Sequence, residues 1–142
     1  MIFAIYGVPV SQCRHRMSRG RAYDPRAAVK KILRVVLAEQ MRAERYKMIK
    51  DEPIRFTLDV YTPIAKSSSK NRVRELLRMG WDMSKPDVDN FAKFYLDILT
   101  GLAYDDDKNI VELHVTKKKS LEPRVEIEVI SIKCEAQHEE IE

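Results

Sequence analysis

The chain has 142 residues, 44% of them apolar and 34% charged, a balance that suits one packed core and excludes a wholly disordered chain. Its 26 lysines and arginines against 22 aspartates and glutamates leave only +4, so net charge alone does not mark a nucleic-acid binder and the distribution of charge has to. No run approaches the roughly 18 to 20 consecutive apolar residues of a membrane helix, the opening MIFAIYGVPV has neither basic flank nor cleavage site, and Cys13 and Cys134 have no C-x-x-C spacing. These features predict a cytoplasmic protein with two unpaired thiols and no membrane partner.

Residues 2 to 10, IFAIYGVPV, are β-branched and aromatic and read as a first strand that ends at Pro9. From Arg14 to Arg34 eight basic residues face one acidic residue, net +7. Asp24 followed by Pro25 reads as an N-cap with proline at the first helical position, opening an amphipathic helix that runs to about Tyr46. Ile54 to Tyr61 alternates Ile54, Phe56, Leu58 and Val60 with Arg55, Thr57, Asp59 and Tyr61, the period of a strand with one buried face. Residues 66 to 79, KSSSKNRVRELLRM, predict a basic helix stopped by Gly80, and Lys66 to Lys85 carries six basic and two acidic residues. Trp81 beside that glycine suits either a partly buried anchor or a stacking contact with a base. Asp89 or Asn90 is placed to cap a third helix running through Phe91, Phe94, Tyr95, Ile98 and Leu99 to Gly101. Two closing strands are expected at Ile110 to Thr116 and Arg124 to Ile132, with Val111, Leu113 and Val115 on one face of the first and Val125, Ile127 and Val129 on one face of the second. The fold class that follows is α+β, a β-sheet packed against helices, over a domain of residues 1–133. The acidic segment 134–142 reads as a solvated tail.

The sign of the charge inverts between Asp87 and Glu112, where seven carboxylates face two lysines, net −5. Two carboxylates about 4 Å apart repel by about 4 kcal/mol at an effective dielectric near 20, so such an island calls for separation, protonation or a cation. Oxygen-only ligation by a few carboxylates is what magnesium prefers. Asp105, Asp106 and Asp107 taken alone suit ordinary turn chemistry. Asp87 and Asp89, two residues apart in an extended segment, point to one side, and Lys93 lies four residues beyond Asp89. An EF-hand reading of Asp105, Asp107 and Asn109 fails, because Ile110 stands where the loop needs glycine and Thr116 where it needs glutamate. A loose PD…DxK pattern through Asp87, Asp106 and Lys108 is short and has a helix where strands are required. His15, His114 and His138 are too scattered for a metal site, and the chain lacks a phosphate-binding glycine loop and a nucleophile elbow, so no nucleotide cofactor is expected.

The segment KPDVDNFAKFYLDILTGLAYDDDKNIVELHV, Lys85 to Val115, closely resembles the RusA family of Holliday-junction resolvases, the crossover junction endodeoxyribonucleases of bacteria and their phages. The resemblance rests on Asp87, Asp89 and Asn90, on Lys93, on Leu96 and Asp97, and on Asp106, Asp107, Ile110 and Val111. A weaker likeness covers GVPVSQCRHRMSRGRAYDP and YTPIAKSSSKNRVRELLRMG, with Ser11, Gln12 and Cys13 where many relatives carry a lysine and further prolines. The resemblance implies a RusA-like homodimer and catalytic residues Asp87, Asp89, Lys93 and Asp107. It implies magnesium, for which manganese can substitute, on Asp87, Asp89 and Asp107, with Asp106 as the alternative ligand that the aspartate triplet allows. The substrate implied is branched DNA, four-way junctions resolved by paired symmetric nicks. The basic residues Arg14, Arg16, Arg19, Arg21, Lys66, Lys70, Arg72 and Lys85 are the expected DNA contacts. A non-catalytic branched-DNA-binding module, or a nuclease of forks and flaps, is the alternative.

Overall fold

The computed structural model describes residues 1–133, so the acidic tail, with Cys134 and His138, lies outside the described residues. Ten elements follow one another. They are β1 (Ile2–Tyr6), β2 (Arg16–Ser18), β3 (Arg21–Tyr23), α1 (Ala27–Ala43), β4 (Ile54–Pro63), α2 (Lys70–Met79), α3 (Val88–Leu99), a short 3-10 turn (Asp107–Asn109), β5 (Ile110–Ser120) and β6 (Arg124–Ser131). The four long strands form one mixed sheet in the order β1-β6-β4-β5, and β2 and β3 form a separate hairpin. β6 runs antiparallel to β1 and β4, whereas β5 lies parallel to β4, since the intervening segment carries two helices.

β4 shows the alternation its sequence dictates: Ile54, Phe56, Leu58, Val60 and Thr62 are buried and the residues between them are partly exposed. Its buried face meets Phe3 of β1, Val125, Ile127 and Val129 of β6, Leu37 and Met41 of α1, and Phe91, Phe94, Tyr95, Ile98 and Leu99 of α3 in one core. α3 is therefore held from Phe91 to Leu99, and the polar positions in that stretch have to face outward.

Several boundaries differ from the sequence expectation. β1 stops at Tyr6, before Pro9, because Gly7 takes a positive φ and turns the chain out of the ladder. The arginine-rich stretch after it contains the β2–β3 hairpin, turning through Arg19 and Gly20, both at positive φ. Asp24 does not cap α1. Its carboxylate accepts from the Arg26 N–H at 2.9 Å one turn earlier, and Arg26 holds the cap position. α1 ends at Ala43, where Arg45 adopts a left-handed conformation and the Tyr46 N–H returns to the Met41 carbonyl at 2.9 Å. α2 starts at Lys70, with Ser69 as its cap, and stops at Gly80. β5 continues to Ser120, and its expected apolar face is incomplete. Val111 and Leu113 are 60% and 46% exposed on this edge strand, and Val111 falls at a register shift where the pairing with β4 passes from Ile110 to Glu112.

Candidate active site

α3 begins two to three residues earlier than its sequence suggests. Asp87 is the cap residue, with extended backbone, and Asp89 and Asn90 already lie in the first turn. The two aspartates therefore do not share one side of an extended segment. The carboxylate of Asp87 makes no capping bond to the helix, which leaves its oxygens available to a ligand. From Asp89 the outward face of α3 carries Lys93 and Asp97 at successive four-residue steps, all three exposed. Asp89 and Asp97 are thus separated by roughly 12 Å of helical rise.

The aspartate triplet divides its roles. Asp105 accepts from the Asn109 side-chain amide at 2.9 Å, and Asp106 caps the 3-10 turn by accepting from the Lys108 N–H at 2.9 Å. That backbone donor, with a smaller contribution from Asp107, holds the Asp106 carboxyl below its ordinary range despite some desolvation. Asp107, with no such duty, faces a cleft of about 420 Å³ that it shares with Lys93, Asp97, Lys30, Asp24, Gln12, Leu96 and His15. Asp106 thus bonds within its own loop, and Asp107 lines the cleft.

One wall of this cleft is a largely buried ion pair that the sequence alone does not reveal. The Lys30 ammonium lies 2.6 Å from Asp24 and 2.8 Å from Asp97, with the side chains of Lys30 and Asp24 only 13% and 15% exposed. The Lys30 hydrogen bond pulls the Asp24 carboxyl down to about 2. Desolvation opposes this, and the Arg26 N–H and the Gln12 amide assist it. For Lys30, burial is the largest single influence and acts downward, but the two carboxylates together outweigh it and raise the ammonium above its ordinary value. The signal in the sequence was the lone acid, Asp24, within a run of basic residues.

The basic arm is fastened to the same helix. The Gln12 N–H donates to the Asn90 carbonyl at 2.9 Å, the Val10 N–H to the Tyr95 hydroxyl at 3.0 Å, and Arg26 Nε to the Ser11 carbonyl at 3.2 Å. A second hollow, lined by Cys13, Arg14, His15, Asn90 and Lys93, joins the arm to the start of α3. Arg14, Arg16, Arg19 and Arg21 are exposed along the arm, as are Lys66, Lys70, Arg72 and Lys85 on the α2 side. His114, on the surface, pairs with Glu112 at 3.4 Å and plays no part in the cleft.

The segment leading to Asp87 is anchored from below. Lys117 of β5, 8% exposed, donates to the Pro86 carbonyl at 2.7 Å and to the Ser84 carbonyl. Asp82, also buried, accepts from the Thr62 hydroxyl at 2.6 Å and the Ser84 N–H at 2.9 Å. Desolvation acts against the Asp82 carboxylate, yet Ser84, Thr62 and Lys119 hold its carboxyl down at about 2. Nothing in the sequence distinguishes Lys117 from Lys118 and Lys119 beside it.

The structure brings Lys93 and Asp107 together and adds Asp97, while Asp87 and Asp89 stand at the N-terminal end of α3, outside the walls of this cleft. Among the described residues no three His, Cys, Asp or Glu side chains converge as a metal cage. The donors are nevertheless all carboxylates, the chemistry a hard divalent ion requires, and magnesium is commonly held by one or two carboxylates with substrate phosphates and water completing its shell.

A small α+β scaffold with an acid-and-lysine cleft between basic flanks defines a protein that acts on a polyanion. The chain belongs to the RusA family: the family described as endodeoxyribonuclease RusA matches residues 7–130. It is thus an endodeoxyribonuclease by family. It is also 36% identical over 133 residues to the uncharacterised protein YqaN of Bacillus subtilis (strain 168), a match covering 88% of this chain and 92% of that one. No helix among the described residues is long and apolar enough to cross a membrane.

Proposed function

We propose that this chain is a magnesium-dependent endonuclease that resolves four-way DNA junctions by paired, symmetric nicks. The observation that carries the reading is the cleft in which Lys93 and Asp107 meet, closed on one side by an arm bearing four exposed arginines. A lone acidic cleft repels DNA, so the positive flanks are what admit the substrate. Arg14, Arg16, Arg19 and Arg21 grip one stretch of phosphates, and Lys66, Lys70, Arg72 and Lys85 another. Lys93, a compact point charge, faces the scissile phosphate and stabilises the charge that accumulates on it. Asp87, Asp89 and Asp107 would hold the divalent ion, which would supply an activated water and charge neutralisation at the phosphodiester. Manganese serves in its place. Because these carboxylates do not converge by themselves among the described residues, a DNA phosphate oxygen would complete the set that holds the ion.

Two nicks placed symmetrically about a junction call for two sites related by a two-fold axis, so the active form is a homodimer. Sedimentation at micromolar concentration reads this directly, and a strict monomer with and without junction DNA contradicts it. The site assignment is tested with Asp87→Asn, Asp89→Asn, Asp107→Asn and Lys93→Met. Each should abolish incision while junction binding and thermal unfolding stay near wild type. Full incision by any one of the four removes that residue from the site.

A further inference from the structure

A second groove lies on the α2 side of the molecule, away from the acidic cleft. Gly80 ends α2 at positive φ and reverses the chain onto the edge of β5, where Trp81 forms a bridge with Lys118. Two backbone bonds fix this return, from the Asp82 N–H to the Lys117 carbonyl at 2.9 Å and from the Lys119 N–H to the Gly80 carbonyl at 2.8 Å. The indole so displayed remains 56% exposed on a rigid edge, with Met83 beside it at 84%. The groove it borders, about 360 Å³, is lined further by Met79, Arg72 and Lys119, and the Lys118 ammonium stands 5.4 Å from the centre of the indole ring. The one acid in its wall, Asp82, is buried, bonded to Thr62 and Ser84 and paired with Lys119 at 3.6 Å, so the cations left to a ligand are Lys118 and Arg72.

We propose that this groove is a stacking subsite for an unpaired nucleobase of the bound DNA, with Trp81 as the platform and Lys118 and Arg72 holding the adjacent phosphates. An exposed aromatic face flanked by cations is the combination by which single-stranded nucleic acid is held without sequence preference, because every base presents a π-face and every nucleotide a negative charge. The methionine side chains supply soft, polarisable contacts to the edge of a ring. Lys118 is eight residues beyond Ile110, roughly 26 Å along the strand, so this contact is separate from the Lys93–Asp107 cleft. It selects DNA in which a base has left the stack, as at a branch point, over continuous duplex. The inference rests on the proposed action on branched DNA.

Trp81 is the only tryptophan in the chain, so its emission reports on this groove alone. In chelator, to prevent cutting, the wild-type protein is titrated with oligothymidylate, with continuous duplex and with a four-way junction, and binding is read in parallel by anisotropy of labelled DNA. Saturable quenching of Trp81 by the oligothymidylate, little or none by duplex, and a loss of oligothymidylate affinity of about tenfold in Trp81→Ala but only a few-fold in Trp81→Phe are expected. Oligothymidylate binding with unchanged emission overturns the subsite, as does equal affinity of the folded Trp81→Ala chain. Junction binding without any oligothymidylate binding also overturns it while leaving the nuclease reading intact. Failure to bind any of the three DNAs removes both.

Discussion

Replacing Lys30 by methionine keeps most of the aliphatic stem and removes only the ammonium that joins Asp24 to Asp97. The Asp24 carboxyl lies at about 2 in the folded chain against an ordinary 3.8, chiefly because of its bond to Lys30. At about 1.4 kcal/mol per unit, that difference corresponds to about 2 kcal/mol of folding stability at neutral pH. Because the folded value is the depressed one, the contribution is complete above pH 3.8 and is lost as the pH falls through about 2. Urea unfolding of wild type and Lys30→Met at pH 7 should therefore show a gap of about 2 kcal/mol at unchanged slope, and the gap should narrow steadily below about pH 4. A gap under about 0.5 kcal/mol at pH 7, or one that does not change between pH 7 and pH 2.5, refutes the reasoning, since either result shows that the pair contributes nothing through its charges.

Three further outcomes are expected. Lys117→Met deprives the Ser84 and Pro86 carbonyls of a buried charged donor and should cost about 2–3 kcal/mol in urea unfolding. Replacing Arg14, Arg16 and Arg19 together by alanine should weaken junction binding and reduce the slope of log affinity against log salt by up to about 2.7, at about 0.9 for each phosphate no longer neutralised; filter binding across a salt series measures it, and an unchanged slope shows that the arm does not touch the phosphates. Asp106→Asn should retain far more incision than Asp107→Asn, because asparagine still caps the 3-10 turn; the reverse order makes Asp106 the ligand.

The parts of the fold that were legible in the sequence are those in which one period is written over many residues. β4 alternates over its length, and the core face of α3 is marked by Phe91, Phe94, Tyr95, Ile98 and Leu99. The hairpin of Arg16–Ser18 and Arg21–Tyr23 was not legible, since three-residue strands carry no period and its arginines register only as charge. The onset of α3 was misplaced because three polar residues in succession, Asp87, Asp89 and Asn90 around Val88, all favour a cap position, and only the packing of the helix fixes which one takes it. Of the candidate site, Lys93 and Asp107 were recognisable from the motif, whereas their neighbours depend on contacts distant in sequence. Lys30 reaches Asp97 across 67 positions, and Lys117 reaches Ser84 across 33. No local pattern encodes such pairs.

Whether this chain cuts branched DNA with the help of a divalent ion is tested most directly by incision of an end-labelled four-way junction beside linear duplex of the same sequence, each with magnesium and with chelator. Paired nicks at symmetric positions, confined to the junction and to the magnesium reactions, are the expected result. Junction binding with no incision in either magnesium or manganese contradicts the nuclease reading and makes the chain a branched-DNA-binding protein on the same scaffold.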